Sequence, residues 1–420
     1  MEINELIRGI SGCECGRDHD CPIDSVVIGK GAISSLSGLT ASYRGVLLVA
    51  DTNTYSVCGD AVVSALGDKL KSTVIFERDG VLVPDEIAIG ELTPHVTDDI
   101  ELIIGIGSGV INDLCKIVSF NHSLPYFIVA TAPSMDGYAS RGSALILNGM
   151  KVTLNANVPR AIIADTDVLA AAPYPMIQAG FGDIIGKYSC LNDWRLSALV
   201  NGEYICRRVV NMTYDVLERT VSLADGIRER DGEAIGALME ALVAVGILMA
   251  YVGNSRPASG SEHHLSHYFE IVGIERGEEY LPHGIDVCFS ALETAKLRES
   301  LLKINDISKF EYRFDKAKYE RDIKRIYGSV AGEVISLQEK MGWYPIDRVS
   351  IYKEKWSEIR AILADCPKAS DMLALCNKVG LEYGDFLVLY GQEKIDDALL
   401  YSKDLKDRYT VLWMWFDLFG

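Results

Sequence analysis

Histidine is scarce in this chain, with seven residues in 420. Basic residues are short as well, 41 against 59 acidic ones, which gives a formal net charge of −18 and a pI near 4.9. No basic cluster offers the face that a nucleic-acid backbone needs, so no polyanionic polymer is expected as a partner. A single phosphate group needs only about two or three donors and stays open as a substrate feature. The N-terminal MEINELIRGI lacks the basic start and apolar run of a secretory leader. No apolar stretch is read as reaching the roughly 18 residues of a membrane span. The ten cysteines scatter from Cys13 to Cys376 and do not form a compact disulfide framework, which suits reduced thiols in a cytoplasm. Hydrophobic residues (49%) and charged residues (24%) are present in ordinary measure, which excludes disordered and fibrous classes. At roughly 150 residues per domain, two domains are the simplest expectation.

Four short apolar runs stand out in the first part: VLLVAD at 46–51, STVIF at 72–76, ELIIGI at 101–106 and YFIVAT at 126–131. Continuous runs of this kind suit parallel strands buried on both faces. Helical segments are expected between them, at 56–69 and 109–120. In the latter, Val110, Leu114, Ile117 and Val118 share one face. The alternation predicts a doubly wound α/β domain over residues 1–165. Beyond Asp165 the pattern turns helical, at 200–223, 232–252, 316–340 and 354–364, and 166–420 is expected to be a mostly helical second domain.

The segment GIGSGVINDLCK at 105–116 follows an apolar run and opens a helix. Gly105, Gly107 and Gly109 let a backbone approach a phosphate, and a helix N-terminus supplies N–H groups and the positive end of a dipole. It is not a complete GxGxxG, because Val110 stands in the last glycine position. A tight turn without ligand remains the alternative. Asp51, at the end of the first run, is placed to meet a ribose or to cap the next helix; its neighbours Thr52 and Asn53 favour the cap.

Four of the seven histidines, His263, His264, His267 and His283, fall within 21 residues. A helix puts His263 and His267 on one face and turns His264 about 100° away. Such a concentration points to metal binding or catalysis. Asp183 in GFGDIIGK is the candidate carboxylate, with a helix cap as its alternative. One Asp and two neutral imidazoles leave a divalent ion a net positive charge and open positions, the layout of a Lewis-acid site. The N-terminal CECGRDHDC brings Cys13, Cys15, His19 and Cys21 together in sequence, without the usual CxxC spacing of a zinc site. The apolar end VLWMWFDLF at 411–419 is read as core in preference to a subunit interface.

The ordered set of Asp51, GIGSGVINDLCK, TAPSMDGYAS at 131–140, GFGDIIGKYSCLNDW, SGSEHHLSH and LPHGIDV resembles the dehydroquinate-synthase-like, iron-containing alcohol dehydrogenase superfamily. Within it, SMDGYAS together with SGSEHHLSH looks like the glycerol-1-phosphate dehydrogenases, nearest their bacterial, arabinose-operon-associated branch. The resemblance spans nearly the whole chain. It implies NAD(P)-dependent, reversible reduction of dihydroxyacetone phosphate to sn-glycerol 1-phosphate by a cytoplasmic homodimer carrying one divalent ion, zinc or nickel ahead of iron. It implies Asp183, His263 and His283 as metal ligands, and His267 beside the substrate in proton relay. Asp136 would meet substrate hydroxyl groups. Gly107, Ser108 and Gly109 would cradle the pyrophosphate, supported by Asp113, with Thr131 and Ser134 on the nicotinamide side. Arg141 departs from the small or apolar residue expected after SMDGYAS, and joins Lys187 and His267 as a candidate for the substrate phosphate. A polyol dehydrogenase or a dehydroquinate-synthase-type cyclase is the alternative within the superfamily.

Overall fold

A computed structural model describes residues 3–147 and 150–420. The chain forms two compact units, one of Met1–Ile184 with Asp215–Asn254, the other of Ile185–Tyr214 with Ser255–Gly420.

The first unit is built on a parallel sheet of six strands: β1 (Ser25–Gly29), β2 (Val46–Asp51), β3 (Leu70–Phe76), β4 (Leu102–Gly107), β5 (Tyr126–Ala130) and, after the β6–β7 hairpin (Gly142–Leu147 and Met150–Asn155), β8 (Ala161–Asp165). The strand order is β1-β8-β5-β4-β2-β3. All four expected strands are present. Every residue of β4 and of β5 is buried, as a central parallel strand requires. The expected 109–120 helix is Gly109–Asn121, and its inward face carries Ile111, Leu114 and Val118.

Two strands and a hairpin escaped the sequence reading. AIIAD at 161–165 forms β8, which pairs with both β1 and β5 inside the sheet. The single division at 165 is corrected by the elements that follow it. The helices Thr166–Ala171 and Tyr174–Ile185, up to Ile184, remain in the first unit, and so does the helix Gly232–Val252. That last helix packs on the 3₁₀ turn Asp136–Ala139 and on Thr166–Ala171. It also corrects the expectation that no stretch is long and apolar enough to span a membrane. By length and composition it is, and it is buried within the protein, so its all-round apolarity serves core packing.

The second unit is helical, as expected. The 316–340 segment divides into Lys316–Tyr327 and Ala331–Met341, because Gly328 turns the chain at a positive φ of 50°. The C-terminal run forms the helix Val411–Phe419, with Trp413 and Met414 fully buried, so it is core. None of the ten cysteines is in a disulfide among the described residues.

Candidate active site

In the first unit the parallel sheet brings three predicted segments to one edge. Ala50 pairs with Ile106, and Gly107 pairs with Ala130, so the C-terminal ends of β2, β4 and β5 lie side by side. Asp51, Gly107–Gly109 and Thr131 stand at those ends. This edge is where open α/β sheets take ligands, because helix N-termini and loop N–H groups converge there.

The residues of the glycine turn do different jobs. A Cβ on Gly107 would lie 2.6 Å from Ile111 Cβ, and one on Gly105 would lie 2.9 Å from Cys115 Sγ. Those two glycines let the helix Gly109–Asn121 lie close on β4, so packing already accounts for them. Gly109 differs, since its Cβ would make only ordinary contact with Met135 at 3.7 Å. Packing does not require glycine there, whereas close approach of a phosphate would. Ser108 is the N-cap residue and makes no capping hydrogen bond with its side chain, which leaves the helix N-terminus available for a ligand oxygen. These features fit a dinucleotide pyrophosphate.

Asp51 caps the helix Thr52–Leu66. Its Oδ1 accepts from the Thr54 N–H at 2.9 Å, completing a reciprocal capping box. The cap alternative is thus realised, and it engages one of the two carboxylate oxygens. Asp113 lies one turn into the helix Gly109–Asn121 and faces Lys116, with Oδ1 3.4 Å from Nζ. The Lys116 ammonium, which the sequence reading passed over, donates to Gly137 O at 2.6 Å, Gly142 O at 3.0 Å and Ser140 Oγ at 3.3 Å. It ties the glycine-turn helix to the SMDGYAS loop. Burial pulls its pKa down, and the Asp113 charge opposes that shift. The loop is held a second time by Tyr138, whose hydroxyl donates to Ala132 O at 2.7 Å.

Asp183 is fully buried in the last turn of the helix Tyr174–Ile185, which excludes the cap alternative. Its Oδ2 accepts from the Asp136 backbone N–H at 2.9 Å, joining the GFGD and SMDGY segments. Gly180 on the same helix is a close-approach position, because a Cβ there would overlap Pro133 O at 1.8 Å. Arg141 is exposed where the β6–β7 hairpin begins.

In the second unit the helix Ser261–Arg276 carries His263, His264 and His267, and His283 opens the helix His283–Leu302. The rings of His263, His267 and His283 gather with centroid separations of 5.1, 5.5 and 6.3 Å. His263 and His283 each present a ring nitrogen, within 4.8 Å of one another. His263 Nδ1 faces Glu262 Oε1 at 2.7 Å, and His283 Nδ1 faces Ser266 Oγ at 3.3 Å. Nδ1 contacts of this kind are how liganding histidines are usually oriented. The donor set therefore fits a divalent ion. His267 stands one turn along from His263, with Nδ1 3.8 Å from Glu270 Oε2. His264 points away and is fully buried. Burial pushes its pKa well down, so it stays neutral.

The orientation of that helix rests on residues the sequence reading did not single out. Asp193, in the LNDW segment, accepts from the Ser261 N–H at 2.7 Å and forms a buried ion pair with Arg298 at 2.6 Å. Gly260 lies so close to the helix Lys187–Asn201 that a Cβ would sit 2.6 Å from Cys190 Cα. Lys187 is buried in this unit, and its Nζ donates to Ala258 O at 3.1 Å.

A family model described as iron-containing alcohol dehydrogenase matches residues 27–173. The glycerol-1-phosphate dehydrogenase [NAD(P)+] of Halalkalibacterium halodurans is 34% identical over 359 residues, covering 80% of this chain and 90% of that protein. The protein of the same name from Bacillus licheniformis is 32% identical over 359 residues, covering 81% and 90%. Among solved structures, sulfoacetaldehyde reductase from Bifidobacterium kashiwanohense in complex with NAD+ superposes with a TM-score of 0.61 at 14% identity, over 92% of each chain. That likeness shows the fold alone.

Proposed function

We infer the activity from one premise: the chain belongs to the glycerol-1-phosphate dehydrogenases, within the iron-containing alcohol dehydrogenase family. It catalyses the reversible, NAD(P)-dependent reduction of dihydroxyacetone phosphate to sn-glycerol 1-phosphate. The identity to enzymes of that name over four-fifths of the chain carries this conclusion. The sheet edge that gathers Asp51, Gly107–Gly109 and Thr131 supports it.

The reaction adds a hydride to the ketone carbon and a proton to its oxygen. When bound, the nicotinamide supplies the hydride, and a divalent ion polarises the ketone. We assign that ion to Asp183, His263 and His283, supported by the buried carboxylate of the first and the Nδ1 contacts that orient the rings of the other two. Ser108 and Gly109 present the helix N-terminus to the pyrophosphate, and Asp51 has a carboxylate oxygen left for the adenosine ribose. Thr131 and Ser134 line the nicotinamide side. Asp136 accepts from substrate hydroxyl groups. Arg141, Lys187 and His267 are the candidates for the substrate phosphate. His267 is also the proton carrier to the substrate oxygen, since imidazole exchanges protons near neutrality. Zinc or nickel, a cytoplasmic location and a homodimer belong to the same reading and rest on the resemblance.

The test is oxidation of NADH and NADPH with dihydroxyacetone phosphate, with and without added zinc and nickel, compared with dihydroxyacetone. Metal-dependent turnover that prefers the phosphorylated ketone is expected. Equal kcat/KM for the two ketones would identify a polyol dehydrogenase, and bound nucleotide without net oxidation would identify a cyclase. His267→Ala should retain metal and lose roughly a hundredfold in kcat.

A further inference from the structure

The N-terminal CECGRDHDC segment has no part in the proposed reaction. We propose that Cys13, Cys15 and His19 bind a second divalent ion, thiophilic in character and zinc by preference, that serves structure and not turnover.

The argument begins with the backbone. Ile10 and His19 exchange N–H to O hydrogen bonds of 2.8 Å each, closing the segment between them into a loop. Inside it, the Gly16 N–H donates to Cys13 O at 2.9 Å, a tight turn made possible by a φ of +82° at Gly16. The Gly12 N–H donates to Asp18 Oδ1 at 2.6 Å. The folded loop brings one ligand atom each from Cys13, Cys15 and His19 within 4.8 Å of one another. Cys21, the fourth residue of the sequence pattern, does not join them.

The second observation is the orientation of the imidazole. His19 is fully buried, stacked on the Tyr251 ring with centroids 5.4 Å apart. Its Nδ1 meets the Tyr251 backbone carbonyl at 2.9 Å. A carbonyl only accepts, so Nδ1 carries the proton and Nε2 carries the lone pair. Nε2 faces Cys15 Sγ at 3.4 Å. Liganding histidines are typically held this way, through a donated bond to a carbonyl or carboxylate behind the ring.

The third is distance. Two ligands of one tetrahedral zinc, with bonds of about 2.3 Å to sulfur and 2.0 Å to nitrogen, stand roughly 3.6 Å apart. The Cys15–His19 separation is close to that edge. Two thiolates and a neutral imidazole also cancel the charge of a divalent ion, which allows burial. Soft sulfur donors select zinc over magnesium or calcium. The remaining tetrahedral position is left to a fourth donor. A short loop of charged residues has little apolar surface to order it, and a metal cross-link supplies that order.

The test uses the full chain loaded with zinc or cobalt(II). Bound cobalt should show the thiolate-to-metal charge-transfer absorption that an Asp/His/His site cannot give. Cys13→Ser with Cys15→Ser should abolish that band and remove one metal equivalent per chain, and Cys21→Ser should leave both unchanged. His263→Ala should keep the band, so failure of the proposed catalytic site and failure of this one are read separately. If the double variant does not fold, the wild type still answers. Cys15 should resist alkylation in the zinc form and become reactive after chelation. An absent band, metal content unchanged in the double variant, or loss of the band in Cys21→Ser overturns the site. Protection of Cys15 lifted by a reductant and not by a chelator would also overturn it, by showing a disulfide.

Discussion

Lys116 in the first unit and Arg298 in the second are both buried cations, and each holds a motif in place. Lys116 holds Gly137, Ser140 and Gly142 of the SMDGYAS loop, and Arg298 holds Asp193, which in turn holds Ser261 at the start of the histidine helix. Their charges are met differently. Lys116 is met mainly by carbonyl dipoles, with Asp113 at the long distance of 3.4 Å, and burial pulls its pKa down. Arg298 suffers the same burial, but the neighbouring acidic groups, Asp193 first among them with Cys366 and Glu262, together outweigh it and the net shift is upward. A full counter-charge makes a rigid, costly-to-break joint, whereas dipoles hold a charge that is closer to being released. The helix of His263 and His267 is held by the first kind of joint and the SMDGYAS loop by the second.

The sharpest way to break this contrast is Arg298→Met. It leaves Asp193 buried without a cation, and a loss of about 3–5 kcal/mol is expected, read from denaturant unfolding. Metal content should fall with it, because the Ser261 end of the histidine helix loosens. Lys116→Met orphans carbonyls but removes a buried charge as well, so the loss should be smaller, about 1–3 kcal/mol. Its main effect should be a raised KM in the assay with dihydroxyacetone phosphate, with metal content unchanged.

The glycine turn gives a finer contrast within one unit. Gly107→Ala forces a Cβ against Ile111 and should cost about 1–3 kcal/mol by overpacking. Gly109→Ala meets only Met135 at contact distance, so stability should stay within about 0.5 kcal/mol while affinity for NADH and NADPH falls. Nucleotide titration followed by fluorescence, beside thermal melts of both variants, checks this. Equal affinity in Gly109→Ala and wild type would remove the phosphate role from that position.

Asp286 is a third case, a buried carboxyl on which the Lys394 charge acts only weakly. Burial raises its pKa well above the ordinary 3.8, and hydrogen bonds from Tyr390 at 2.8 and 3.0 Å oppose that shift only in part. The folded state therefore holds a proton that the unfolded chain releases first. This contribution to stability is complete below the ordinary value and is lost as pH rises through the folded pKa. Asp286→Asn should match wild type at low pH and become relatively more stable as pH rises, which melts across a pH series would show. A constant difference across the series would mean that Asp286 does not titrate in that window.

Much of the site was legible in one dimension. Gly109 and the clustering of His263, His267 and His283 were visible because their chemistry is packed into short segments. Asp183 was singled out, but the glycine before it suggested a helix cap, and only the structure places it within a helix. Gly105 and Gly107 look the same as Gly109 in sequence, and the space around a Cβ tells them apart. Lys116, Asp193 and Arg298 were missed for a different reason. A lone lysine or arginine within a helical pattern carries no sign of burial, and their partners lie 21 to 26 residues away for Lys116 and 105 residues away for Arg298.

The sequence by itself determined the parallel α/β character of the first part, the helical character of the rest and the family. Those properties come from local periodicity and from motifs a dozen residues long. Only the tertiary structure decided that β8 lies inside the sheet, that Gly232–Val252 is a core helix, and that Cys13, Cys15 and His19 converge without Cys21. Each of these depends on which distant segments pair or pack, and a strand or a thiol carries the same letters whether or not its partner is near. Periodicity records the face an element buries. What it is buried against is settled by the packing of the whole chain.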